Sequence, residues 1–249
     1  MSEPVLNAIM RLFALVAKED LITKQEREHV QVFLADHLSK KAMENQLRLF
    51  DEFAIEVSEK IGVGKESDLI SQICSSINQE VAQKQKVVIV IELMSVILAD
   101  GTITERERKL AQIICKEFNI NESDLSLIEK YVLGQTLEQS DDENILIISS
   151  ENKNLLFSKQ IHREHLNGFI SILYLKGTDT FFFKYLGHTD VYLNGVPQKS
   201  GNINVLATGS TLRWDASDPV YYGEILSHFK KVNQGTRTCL LYTSPSPRD

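Results

Sequence analysis

The feature that most constrains this chain occurs twice. Between Lys84 and Phe118 the sequence reads KQKVVIVIELMSVILADGTITERERKLAQIICKEF, an apolar run, a short polar elbow and a second run with helical spacing. Val87, Val90, Ile91, Met94, Ile97 and Leu98 leave the first run apolar nearly all round, the pattern of a helix at the buried centre of a helical domain. In the elbow, Gly101 supplies the left-handed backbone that ends a helix cheaply. Thr104 and Glu107 then have the spacing of a capping box for the next helix. Near the N-terminus, LFALVAKEDLITKQEREHVQVFL repeats the arrangement. There Ile22 aligns with Ile103, Thr23 with Thr104, Glu26 with Glu107 and Arg27 with Arg108, and Glu19 stands where Asp100 does. A repeated helix, acidic elbow and capped helix signals internal duplication and predicts an all-α first domain.

The other helices of that domain follow from a 3.6-residue apolar spacing. The pattern predicts helices over 4–19 (Val5, Ile9, Leu12, Phe13, Val16), 24–38 (Val30, Phe33, Leu34, Leu38), 40–61 (Met43, Leu47, Phe50, Ala54, Val57) and 66–82 (Leu69, Ile70, Ile73, Ile77, Val81). A last one covers 122–134 and closes at Gly134. Pro4 suits a first helical turn. The stretch Gly62-Val63-Gly64-Lys65 is a helix–helix turn and no phosphate loop, because Glu59 stands where a glycine is required and Glu66 where Ser or Thr is required.

The period changes near residue 144. Residues 144–149, 168–175, 180–186, 191–193, 204–206 and 211–214 are short β-branched or aromatic runs, parted by turn signals such as Asn194-Gly195 and Ser200-Gly201-Asn202. Such strands predict an antiparallel sandwich or small barrel, with Tyr221–Phe229 covering an edge and Phe181-Phe182-Phe183 straddling a sheet. Charge changes in the same place. Residues 1–143 hold 26 acids and 16 Lys or Arg, and residues 144–249 hold 8 and 11, within a net charge of −7. The expected division is a helical bundle over 1–137, a linker over 138–143, a β-sandwich over 144–230 and an unstructured tail over 231–249.

Composition excludes some roles. An acidic first half argues against a nucleic-acid partner. The longest apolar run, VVIVIELMSVILA, falls short of the roughly 20 residues of a membrane span and contains Glu92. MSEPVLNAIMRLF lacks a basic leader region, so a cytoplasmic location without direct membrane contact is expected. Of the three cysteines, Cys74 and Cys115 lie on apolar helix faces and are expected to be reduced core residues.

Three resemblances extend this reading. The unit of apolar helix, acidic elbow and second helix, whose elbow reads A-D-G-x-I-x-x-x-E at 99–107, resembles the TerB-like (tellurite-resistance) all-helical family over about residues 5–135. VYLNGVPQKSGNINVLATGSTLRW resembles the C-terminal half of a forkhead-associated (FHA) domain, through Asn194-Gly195, Val205-Leu206 and Gly209-Ser210-Thr211-Leu212. The first half departs from that family: the Gly-Arg pair is missing and Ser-Arg-x-His is only echoed by Ile161-His162-Arg163-Glu164-His165. CLLYTSPSPRD, from Cys239 to Asp249, resembles a translated sequencing-library adapter, which would make it artefactual and the chain truncated near residue 235.

The acidic elbows are the chemical constellation of the helical half. Asp20, Glu26, Asp100 and Glu107 would converge if the repeats pack about a pseudo-twofold axis, and carboxylates at helix N-termini suit a hard cation. The TerB resemblance permits such metal binding; capping alone also explains the spacing. His162 and His165 lack a third nearby ligand and are expected in a solvated loop, and no nucleophile–base arrangement stands out, so catalytic, cofactor and metal residues are all expected to be none.

The domain order resembles the front end of bacterial multidomain ABC-type ATP-binding transporter proteins. That resemblance implies a non-catalytic regulatory or interaction region, with ATP and Mg confined to a missing C-terminal part. Its partners would be proteins, its own downstream ABC domain or other subunits, and its parent would be associated with the inner membrane. The alternatives are a freestanding TerB-like stress-response protein binding a divalent metal, and a phosphopeptide-binding FHA module with Arg163 in its pocket.

Overall fold

The computed structural model describes residues 2–17, 22–35, 38–60, 66–134, 142–150, 159–215 and 218–230, with backbone alone for 57–60 and Asp100. The readings placed on Glu19 and Asp20, on the Val57 side chain, on the Gly62–Gly64 turn, on most of the 138–143 linker and on the 231–249 tail lie outside the described residues.

Among the described residues, seven helices build the first half: α1 (Glu3–Ala17), α2 (Lys24–Ala35), α3 (Lys40–Lys60), α4 (Glu66–Glu80), α5 (Gln83–Ile97), α6 (Glu105–Glu117) and α7 (Glu122–Leu133). A 3-10 turn, Leu98–Asp100, follows α5. Observed ends differ from the expected ones by a few residues, as fraying ends do. The all-round apolar reading of α5 holds, with Val87, Ile89, Val90, Ile91, Leu93, Met94, Val96 and Ile97 all buried. Gly101 ends the 3-10 turn at φ +86°, where its N–H donates to Leu98 O. Cys74 and Cys115 are buried and free, and burial pushes both thiols up to about 12.

Among the described residues, nine strands form two sheets. One is five-stranded in the order β2 (Gln160–His162), β1 (Ile145–Ser149), β3 (Gly168–Leu175), β4 (Thr180–Gly187), β7 (Ile203–Leu206). The other is four-stranded, in the order β6 (Val196–Gln198), β5 (Val191–Leu193), β8 (Thr211–Trp214), β9 (Val220–Tyr221). A short helix, α8 (Tyr222–Phe229), closes the described chain. Every pairing is antiparallel except β1 with β2, which is parallel. The fold is therefore α+β, an all-α part followed by two largely antiparallel sheets. Three strands depart from the sequence reading. β2, β6 and β9 are only two or three residues long, and β6 contains Pro197. His162 accordingly ends a strand instead of lying in a loop.

The larger sheet is covered on both faces. Ile145, Ile147, Leu173, Leu175 and Phe182 share one core with the helices. Leu146, Ile148, Ile170, Ile172, Phe181 and Phe183 share a second core with Val191, Leu212 and Trp214 of the smaller sheet. The triplet Phe181-Phe182-Phe183 thus straddles a central strand with no solvent face. Where β3 begins and β4 ends, Gly168 and Gly187 pair so closely that a Cβ on Gly168 would meet Leu186 O at 2.1 Å, and one on Gly187 would meet Asn167 O at 2.1 Å. No residue but glycine fits at that crossing.

Polar groups lock the sheet to the helices at the end of α7. Tyr131 Oη donates to Ser171 O on β3 at 2.7 Å. Lys184, on β4, donates from Nζ to Val132 O at 2.9 Å and Gly134 O at 3.1 Å. These carbonyls carry the negative end of the helix dipole, a fit for an ammonium group. Burial nonetheless pushes Lys184 down to about 8.

Candidate functional site

Both elbows fold as capping boxes. Thr104 Oγ1 accepts from Glu107 N at 3.2 Å, and Glu107 Oε2 accepts from Thr104 N at 2.8 Å. Thr23 Oγ1 accepts from Glu26 N at 3.2 Å, and Glu26 Oε2 accepts from Thr23 N at 2.6 Å. The repeat extends to the arginines. Arg27 pairs with Asp51 on α3 at 3.0 Å and Arg108 with Glu129 on α7 at 2.5 Å. Arg106, where the first repeat has Gln25, instead reaches Glu66 at 2.7 Å and Leu15 O at 3.0 Å, so it ties the end of α1 to α4. The carboxylates of Glu26 and Glu107 therefore serve their own helices. Among the described residues no three His, Cys, Asp or Glu side chains are placed to hold a metal ion.

The β part answers the phosphate reading in a similar way. Arg163 follows β2, where its Nη2 donates to both carboxylate oxygens of Glu224 on α8, at 2.6 and 2.8 Å, and its Nη1 donates to His162 O at 3.0 Å. The Glu224 carboxylate thus already balances the charge that a phosphate would need. Glu164 and His165 stand together at a turn, where His165 has φ +63° and its Nε2 lies 3.8 Å from Glu164 Oε2.

What the structure does shape is a cleft of about 470 Å³ between helices and sheet. One wall is His29, Val32 and Phe33 of α2 with Val88, Ile91, Glu92 and Ser95 of α5; the other is Phe182 of β4 with residues 196–199 and 201–205. The β wall is fixed in place, since Gly201 N donates to Tyr185 O at 2.7 Å and Gly187 N to Ser200 Oγ at 3.2 Å. Its rim is apolar and exposed: Val32 at 39%, Val196 at 60% and Val205 at 38%. Partial desolvation lowers the His29 imidazole below its usual value, against an opposing pull from Glu28.

The sequence reading names some of these residues, Phe33, Ile91, Phe182 and Val205 among them, as core or strand positions and none as part of a binding site. They come from five elements, α2, α5, β4, β6 and β7, and carry no shared motif. One signal was available: Val32, beside the buried Phe33, is an apolar residue on the exposed side of α2.

The comparisons with known proteins bear on the helical part. A family model described as Tellurite resistance protein TerB matches residues 6–130. No curated protein and no solved structure matches the chain.

Proposed function

The chain belongs to the tellurite resistance protein TerB family, and on that premise we propose that it is a non-catalytic protein-interaction region whose partner docks in the cleft between α2, α5 and the β6–β7 edge. The observation that carries this reading is the cleft itself. It is walled by two packed layers, held rigid by backbone hydrogen bonds and rimmed by exposed valines. Its lining mixes apolar side chains with His29, Glu92, Ser95, Lys199 and Asn204, which supplies both contact area and polar groups to orient a partner. Glu26 and Glu107 are already committed to capping and Arg163 to Glu224, which favours the interaction role over metal or phosphopeptide recognition.

A photo-crosslinking residue in place of Val196 tests the reading, with one in place of Ile55 as control. Both positions are 60% exposed, and Ile55 lies on α3 outside the cleft. We expect a defined protein adduct, mapped by mass spectrometry, from position 196 alone. The same adducts from both positions would remove the cleft from consideration.

The parent protein we propose is a bacterial ABC-type ATP-binding transporter. This chain would be its cytoplasmic regulatory region, and ATP and Mg would be bound by a later domain. Support comes from domain order, a helical TerB part before a β part with FHA-like turns. Sequencing the intact gene from the codon for Gln234 onward tests it. A G-x-x-x-x-G-K-[ST] motif within a domain's length, followed by apolar spans, is the expected result. A reading frame that stops shortly after residue 235 would leave a freestanding interaction protein and overturn the transporter parentage.

A further inference from the structure

The two sheets have four outer strands among the described residues, and they are not equally protected. Exposed edges offer unpaired backbone groups, and natural sheets blunt them with short strands, charge or proline. β9 is two residues long. β2 is three residues, flanked by Lys159 and Arg163. β6 carries Pro197. β7, Ile203-Asn204-Val205-Leu206, is the longest of the four and carries neither charge nor proline. On its inner side it pairs with β4 in the register Lys184↔Ile203 to Phe181↔Leu206. Among the described residues its outer side pairs with nothing.

That unprotected edge opens into the cleft. The register places Ile203 and Val205 on the same sheet face as Lys184 and Phe182, the face turned toward the helices. Val205 is left 38% exposed there, opposite Val32 of α2 and Val88 of α5 across the cleft. A strand added beside β7 would find ~13 Å of hydrogen-bonding edge. Its alternate side chains would enter the slot against α2 and α5. It would thereby continue the interface that β1, β3 and β4 already make with the helices.

We propose that β7 receives an extended segment of a protein partner, with apolar residues at every second position, as a sixth strand of the larger sheet. Backbone pairing supplies the affinity and the slot supplies the specificity. This rests on the cleft being the interaction site and names the form of its partner.

The probe is a phage-displayed library of random linear decapeptides, panned on the full chain. The best peptide is then resynthesised with a fluorescent label. The expected outcome is a consensus with apolar residues at alternate positions. Its binding should weaken by at least about tenfold in both Val205→Lys and Val32→Lys. Both sites are exposed, and circular dichroism checks that both variants stay folded. Backbone amides within residues 203–206 should exchange more slowly when the peptide is bound. Enrichment of no alternating sequence, or binding that survives Val205→Lys, overturns the proposal. Loss of binding in Val32→Lys without slowed exchange in 203–206 also overturns strand addition, but leaves the cleft reading standing. Concentration-dependent self-association that Val205→Lys abolishes would assign the edge to a second copy of this chain and overturn it as well.

Discussion

The five-stranded sheet has helices on one face and the four-stranded sheet on the other, whereas the four-stranded sheet has one face in the core and one carrying Tyr192 and Tyr221 toward solvent. The strand sequences follow from this. β1 and the middle of β3 and β4 are buried at every position, while β5 and β8 alternate. The difference teaches that the β part is no free-standing sandwich set beside a bundle. Its inner sheet takes half of its core from the helices, and only its outer sheet behaves as a surface. An edge of each sheet borders the cleft, β6 of the outer sheet and β7 of the inner one, but Pro197 interrupts β6 and nothing interrupts β7.

The contrast can be broken most strongly at Phe182, which faces the helices. Phe182→Ala is expected to cost ~3–5 kcal/mol. It should lower the helical and β unfolding midpoints together. Tyr192→Ala, on the outer face of the other sheet, should stay within ~0.5 kcal/mol. Urea unfolding of the two variants checks the difference.

Lys184 sharpens the contrast through pH. Its folded value of about 8 lies below that of an unfolded lysine. Between pH 8 and roughly 10.4 the unfolded chain therefore binds more protons at this site than the folded one, and stability rises with pH. Below pH 8 both states hold the proton and the burial cost is felt in full. The wild type should gain up to about 3 kcal/mol relative to Lys184→Met as pH rises through that window. Denaturant titrations of both proteins at pH 8 and pH 10 measure it. An identical change in the two would remove Lys184 from the account.

Tyr131→Phe deletes the hydrogen bond to Ser171 O, at a cost of ~1 kcal/mol. Thr23→Ala and Thr104→Ala each remove one capping box and should cost ~1 kcal/mol apiece. Their near-equality tests the internal repeat. If helices and sheets unfold as one body, each loss in a helix cap should also move the signal of the β core.

Much of this was legible in the sequence. The helices announce themselves through 3.6-residue spacing, and the elbows through Thr-x-x-Glu. β3, β4, β5, β7 and β8 were expected within a residue of their observed ends, because β-branched and aromatic residues cluster between clear turns. β2, β6 and β9 were not, since Gln160, His162, Gln198 and Pro197 are poor strand signals. Nor was the union of the two parts. The run Phe181-Phe182-Phe183 shows that both faces of β4 are covered but not what covers them, and Lys184 beside it reads as a solvent position. The converging-carboxylate idea named Asp20, Glu26, Asp100 and Glu107; of these, Glu26 and Glu107 turn back onto their own helices as caps, the alternative that the spacing also allowed. The cleft exists only once α2, α5 and the β6–β7 edge are brought together by tertiary packing.

The most direct test of that union uses the single tryptophan. Trp214 lies buried in the β core, Nε1 donating to Glu164 O at 3.1 Å, while far-ultraviolet circular dichroism reports mainly the helices. Urea unfolding followed by both signals on one sample should give coincident transitions with a single midpoint. Two separated transitions, with the tryptophan signal moving while the helical signal stands, would contradict the shared core on which the cleft depends.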